Sequence, residues 1–118
     1  MANSKYNLQD SSNMKTYKNF TLFICLFSMS ILMRGQTAAF KKANAYFKSY
    51  NFNTAATLYE NLLKKGIDNA EIRIKLADAY FYNSEYQKAV TNYLSVGDKD
   101  LDKLALFRLA KSLDASGA

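Results

Sequence analysis

The chain has no histidine, no proline and no tryptophan, one cysteine and four glycines in 118 residues. Each scarcity excludes something. Without histidine there is no imidazole to act as general base, triad member or metal ligand. The one thiol, Cys25, lies in an apolar run near the N-terminus, so the rest of the chain can form no disulfide and holds no cysteine nucleophile. Missing proline and rare glycine argue against a turn-rich β fold and for uninterrupted helices. The glycines, at 35, 66, 97 and 117, stand singly and build no phosphate-cradling loop. Glu71 and Asp78 are carboxylates seven apart, but they stand among lysines and read as a solvated helix face. No catalytic set emerges, no metal site or cofactor is implied, and the chain reads as non-enzymatic.

What is present favours an ordered helical domain. Apolar residues make up 49% of the chain, too many for disorder by composition. The net charge is +6, and half of it lies in residues 1–36, where four basic groups face one acid. Residues 37–118 carry twelve basic groups and nine acids, interspersed as on solvated helices rather than gathered into a stripe. A nucleic-acid partner is therefore not expected.

Along the chain, Met1 to Asn13 is polar and without apolar periodicity. Lys15 and Lys18 then precede an apolar run of 14 residues, Phe20 to Met33, followed by Gly35 and Gln36. That is the layout of a secretory signal peptide, with Met1 and Met14 as alternative starts. A membrane span wants about 20 apolar residues. Cleavage between Gln36 and Thr37 is expected, with a retained anchor as the alternative. The domain division is then 1–36, extension and signal peptide, and 37–118, helical domain.

The helical domain carries a period. Ala43, Tyr46, Phe52, Ala55, Tyr59 and Leu62 recur 34 residues later as Ala77, Tyr80, Tyr86, Ala89, Tyr93 and Val96. Small residues at fixed places let two helices approach, and aromatics fill the space around their crossing. The spacing predicts helices over 37–50, 53–65, 68–82, 85–96 and 103–113. Asn51 suits the first turn because asparagine tolerates the left-handed region and caps helices. Asp68 with Glu71 has the spacing of a capping box. The acidic stretch DKDLD, 98–102, lacks the length, glycine and closing glutamate of a calcium loop, and Asp100 or Asp102 is expected to cap the fifth helix. In that helix Leu109-Ala110 matches Leu76-Ala77 at an offset of 33. Its apolar residues cover more than one side, which points to self-association or to a following helix of a longer protein. The break in mid-repeat favours the longer protein.

This pattern, over about Thr37 to Leu113, resembles the tetratricopeptide repeat. The resemblance implies an all-α, right-handed α-solenoid: two helix–turn–helix repeats, about 37–69 and 70–102, and a partial third, 103–118. It also implies a partner-binding groove lined by the first helix of each repeat. Phe40, Asn44 and Phe47 would come from the first repeat, Ile74, Lys75, Asp78 and Phe81 from the second, and Leu104 and Arg108 from the third. Some of the family hold a C-terminal carboxylate with two asparagines, two lysines and an arginine. Asn44 and Arg108 stand at such places, but Phe40, Leu104 and Lys75 occupy the others. The leader is similar to those of exported Gram-negative proteins. Leader and repeats together resemble the front of envelope proteins that end in an outer-membrane-protein-A-like domain. The expectation is a protein- or peptide-binding scaffold, exported to the periplasm or the outer membrane, meeting a membrane only if the leader is retained.

Overall fold

The computed structural model describes residues 2–117, and the side chains at 16–28 and 38–117. Every regular element among them is helical: α1 (Ala2–Lys48), α2 (Phe52–Lys64), α3 (Ala70–Tyr82), α4 (Tyr86–Leu94), a single 3-10 turn (Asp98–Asp100) and α5 (Lys103–Ala115). The chain divides into two compact units, Met1–Gly35 and Gln36–Ala118.

The first unit is helical from Ala2, including the polar stretch that has no apolar periodicity. No proline interrupts it, and glycine enters only at its last residue. Tyr17, Phe20, Phe23, Leu26 and Phe27 are exposed, as is the free thiol of Cys25. No helix of the described residues is long and apolar enough to cross a membrane. The expected cleavage point at Gln36–Thr37 lies outside the residues whose side chains are described.

The second unit packs its helices in chain order, α2 on α3, α3 on α4 and α4 on α5, and α3 also meets α5. Its core repeats the sequence period. Ala43, Ala55, Ala77 and Ala89 are completely buried, as are Tyr59 and Tyr93. Leu62 and Val96 close the same core. An alanine at zero exposure leaves the neighbouring backbone room to approach; a larger side chain there would push the helices apart.

The hairpin turns repeat too. The amides of Tyr50 and Asn51 donate to the carbonyls of Phe47 and Tyr46, and those of Ser84 and Glu85 donate to Phe81 and Tyr80. Tyr50 (φ 61°) and Ser84 (φ 63°) both take the left-handed conformation. This is a Schellman cap used twice, 34 residues apart. The left-handed residue is thus Tyr50 and not Asn51. Asn51 caps α2, as expected of asparagine there, its side chain accepting the amide of Thr54 at 3.3 Å. α2 ends in the same motif, with Gly66 at φ 84° and the Ile67 amide on the Leu62 carbonyl at 3.0 Å.

One expected cap is revised and one is found. Asp68 does not cap α3; Asn69 does, accepting the amide of Ile72 at 2.9 Å. Asp68 lies before the helix and forks onto Arg73, with both bonds at 2.6 Å. Asp102 caps α5, accepting the amide of Ala105 at 2.7 Å, while Asp100 ends the 3-10 turn. Since α3 is capped at 69 and α5 at 102, the third first-helix comes one residue early, at the offset of 33. The α4–α5 link runs through extended Gly97 (φ −64°) and the 3-10 turn instead of a left-handed glycine. On α5, Ala110 is exposed although its counterpart Ala77 is buried, and Leu104, Leu106 and Phe107 are 52%, 44% and 56% exposed.

Replacing Ala77 or Ala89 by leucine should overpack the crossing and cost about 1–3 kcal/mol or more. Thermal unfolding followed by circular dichroism checks this, and an unchanged melting temperature in either variant would refute the close crossing.

Candidate partner-binding face

The first helices of the hairpins, α3 and the 38–48 stretch of α1, lie beside each other, and α5 follows. Phe47 of α1 meets Tyr82 of α3 edge-on at 6.0 Å, and the Lys75 ammonium sits 5.2 Å from the centre of the Phe47 ring. From α5, Arg108 reaches back to α3 by two bonds, to Asp78 Oδ1 at 3.0 Å and to the Tyr82 hydroxyl at 3.1 Å. Its guanidinium also lies 5.4 Å from the Tyr82 ring centre.

Of the nine residues expected in the groove, the structure brings five into this connected set or its margin. Phe47, Lys75, Asp78 and Arg108 belong to the network just described. Phe81 meets Tyr82 edge-on at 5.4 Å. Asn44 is half-buried and accepts the Tyr59 hydroxyl at 2.5 Å. Phe40 is half-buried with its ring 6.1 Å from that of Tyr59, and Ile74 is half-buried against the core. Leu104, on α5, is exposed.

Asp78 corrects the solvated-face reading: it is 6% exposed and is a buried carboxylate. Tyr93 of α4 donates its hydroxyl to Oδ1, and Arg108 pairs with the same atom. Fifteen residues separate Asp78 from Tyr93, and fifteen separate Asn44 from Tyr59. The two hairpins therefore share one tyrosine-to-acceptor bond. A neutral amide serves in the first and a carboxylate in the second, where an arginine follows to balance it. Burial pushes the Asp78 carboxyl above the usual carboxylate range, against the opposing pull of the Tyr93 hydroxyl and the Arg108 and Lys75 cations. Burial, and then the Asp78 carboxylate, raise the Tyr93 phenol.

Sequence reasoning missed Tyr82. It stacks on Phe52 at 4.8 Å (interplanar 19°), meets Phe47 and Phe81, and receives Arg108. Its counterpart 34 residues earlier is Lys48, so the period gave no signal for it. Phe107 was also missed as a face residue; its counterparts at offsets of 33 and 67, Ile74 and Phe40, were the available clue. Every buried side-chain nitrogen and oxygen among the described residues has a hydrogen-bond partner. The face thus offers a patterned surface and no orphaned polar group waiting for a ligand. No protein-family model, curated protein or solved structure matches the chain.

Asp78→Asn should keep both acceptor bonds, as Asn44 does natively, and change stability by about 1 kcal/mol or less. Asp78→Leu strands Arg108 and the Tyr93 hydroxyl and should cost about 3–5 kcal/mol. A carboxyl raised in the folded state holds its proton better there than in the unfolded chain. Its contribution is therefore present at acid pH and lost as pH rises through the raised value. Melting curves should show the wild type losing ground to Asp78→Asn on going from acid to neutral pH; the opposite slope would mean that the Arg108 pair outweighs burial.

Proposed function

We propose that the 36–118 unit is a tetratricopeptide-like, non-enzymatic protein-interaction module. Its partner would dock on the face shared by α3, α5 and the 38–48 stretch of α1. The observation that carries this reading is the 34-residue recurrence of core, turn and tyrosine–acceptor bond, which sets the first helices side by side and leaves their outward residues half-exposed. In such a repeat the buried residues build the stack, and the outward ones are free to vary with the partner. Half-buried aromatics flanked by charge suit a docking surface, since aromatic anchors supply contact area at low entropic cost. The exposed apolar side of α5 adds a surface for self-association.

A random-peptide display selection on the purified chain tests this. Clones recovered on the wild type should lose roughly tenfold or more in recovery on a chain carrying Phe107→Ser, a change at a residue already 56% exposed. Equal recovery on both chains would remove the face from consideration.

For location, the reading is export to the periplasm or outer membrane, supported by the basic start and the 14-residue apolar run. A retained anchor that scaffolds a complex at the membrane is the second reading. N-terminal sequencing of the chain recovered from Gram-negative cells separates them. A start at Thr37 is expected, and an intact Met14 end would favour the anchor.

A further inference from the structure

Two parallel rows cross the three first helices. Lys41 on α1, Lys75 on α3 and Arg108 on α5 occupy one register position, at offsets of 34 and 33. One residue earlier on each helix stand Phe40, Ile74 and Phe107. Each of the two later cations leans on an aromatic ring of the preceding first helix, Lys75 on Phe47 and Arg108 on Tyr82. That contact holds the long side chains in place without using up their charge.

The rows are not electrically neutral. Lys48 lies two turns along from Lys41 and Lys111 one turn along from Arg108, on the same side of their helices, and both are exposed. Against these five cations stand Asp78, which is buried, and at the two ends of the face Glu71 and Asp114. Among the described residues the ion pairs use Arg73, Lys88 and Arg108, so Lys41, Lys48, Lys75 and Lys111 carry charge that no carboxylate neutralises directly. Phosphate alone would leave the apolar row without a partner. An acidic protein segment would use both rows.

Spacing sets the form of that segment. Packed helices lie about 8–10 Å apart. An extended or polyproline chain advances about 3.1–3.4 Å per residue, so three residues step from one helix to the next. We propose that this face takes an extended acidic protein segment in which a carboxylate, with an apolar side chain beside it, recurs about every third residue. The inference rests on the reading of the face as a partner-binding surface and names the partner's chemistry.

The test uses the whole chain and two labelled peptides of about nine residues, the extended length that spans three helices. One has glutamate at every third position with leucine beside it; the other has glutamine in place of glutamate. Fluorescence anisotropy at about 50 and about 300 mM NaCl reads affinity. The glutamate peptide should bind roughly tenfold or more tightly than its glutamine counterpart, with the margin shrinking at high salt. A Lys41→Glu, Lys75→Glu chain of unchanged helicity should lose that margin. Equal affinity for both peptides, with both weakened by Phe107→Ser, would overturn the acidic partner and leave the docking face standing. Tighter binding of oligouridine than of the glutamate peptide would overturn it in favour of a nucleic acid. Binding of neither peptide would overturn both the inference and the docking face.

Discussion

The second unit depends on the close approach of helices at alanine. Ala43, Ala55, Ala77 and Ala89 have no exposed surface. With such small residues at the contact, the tyrosines beside them can reach across the interface. Tyr59 and Tyr93 are both fully buried and both end on a side-chain oxygen of the neighbouring first helix. A buried phenol needs such a partner, because an unpaired hydroxyl in the core costs about 1–3 kcal/mol. Each hairpin is thus fixed by apolar contact at the alanines and by one directional bond at the tyrosine.

From that bond the two hairpins diverge. Asn44 accepts from Tyr59 with no charge to balance. At the matching place Asp78 brings a carboxylate into the core, where desolvation works against it. Arg108 compensates, and in doing so ties α5 to α3 and to the ring of Tyr82. The charge pair joins elements 30 residues apart in sequence and sets where α5 lies on the stack. It also divides the labour among the cations of the face. Arg108 serves the fold first, while Lys41 and Lys75 keep their charge for a ligand.

The all-helical class and most of the core were legible from the sequence. The 34-residue recurrence named Ala43, Ala77, Ala55, Ala89, Tyr59 and Tyr93, and all six are buried. Helix ends were read to within one or two residues, apart from α1, which runs unbroken from Ala2. The errors share a cause. Asp68 and Asn69 are both competent caps, and the choice between them turns on Arg73, whose guanidinium draws Asp68 away from the helix end. The left-handed residue of the first turn is Tyr50 and not Asn51 because the Schellman bonds select a position along the chain, not a residue type. Asp78 looked like a surface charge because nothing local to it reveals Tyr93 or Arg108.

Periodicity alone determined the number of hairpins, their small-residue contacts and the one-residue advance of the third first-helix. These are regularities of spacing, and spacing is a property of the chain itself. Only the tertiary structure decided which polar groups are buried, that Tyr82 is the meeting point of Phe47, Phe52 and Arg108, and that the cations of the face differ in how far they are neutralised. Burial and charge pairing belong to groups brought together from distant parts of the chain, so no local pattern encodes them.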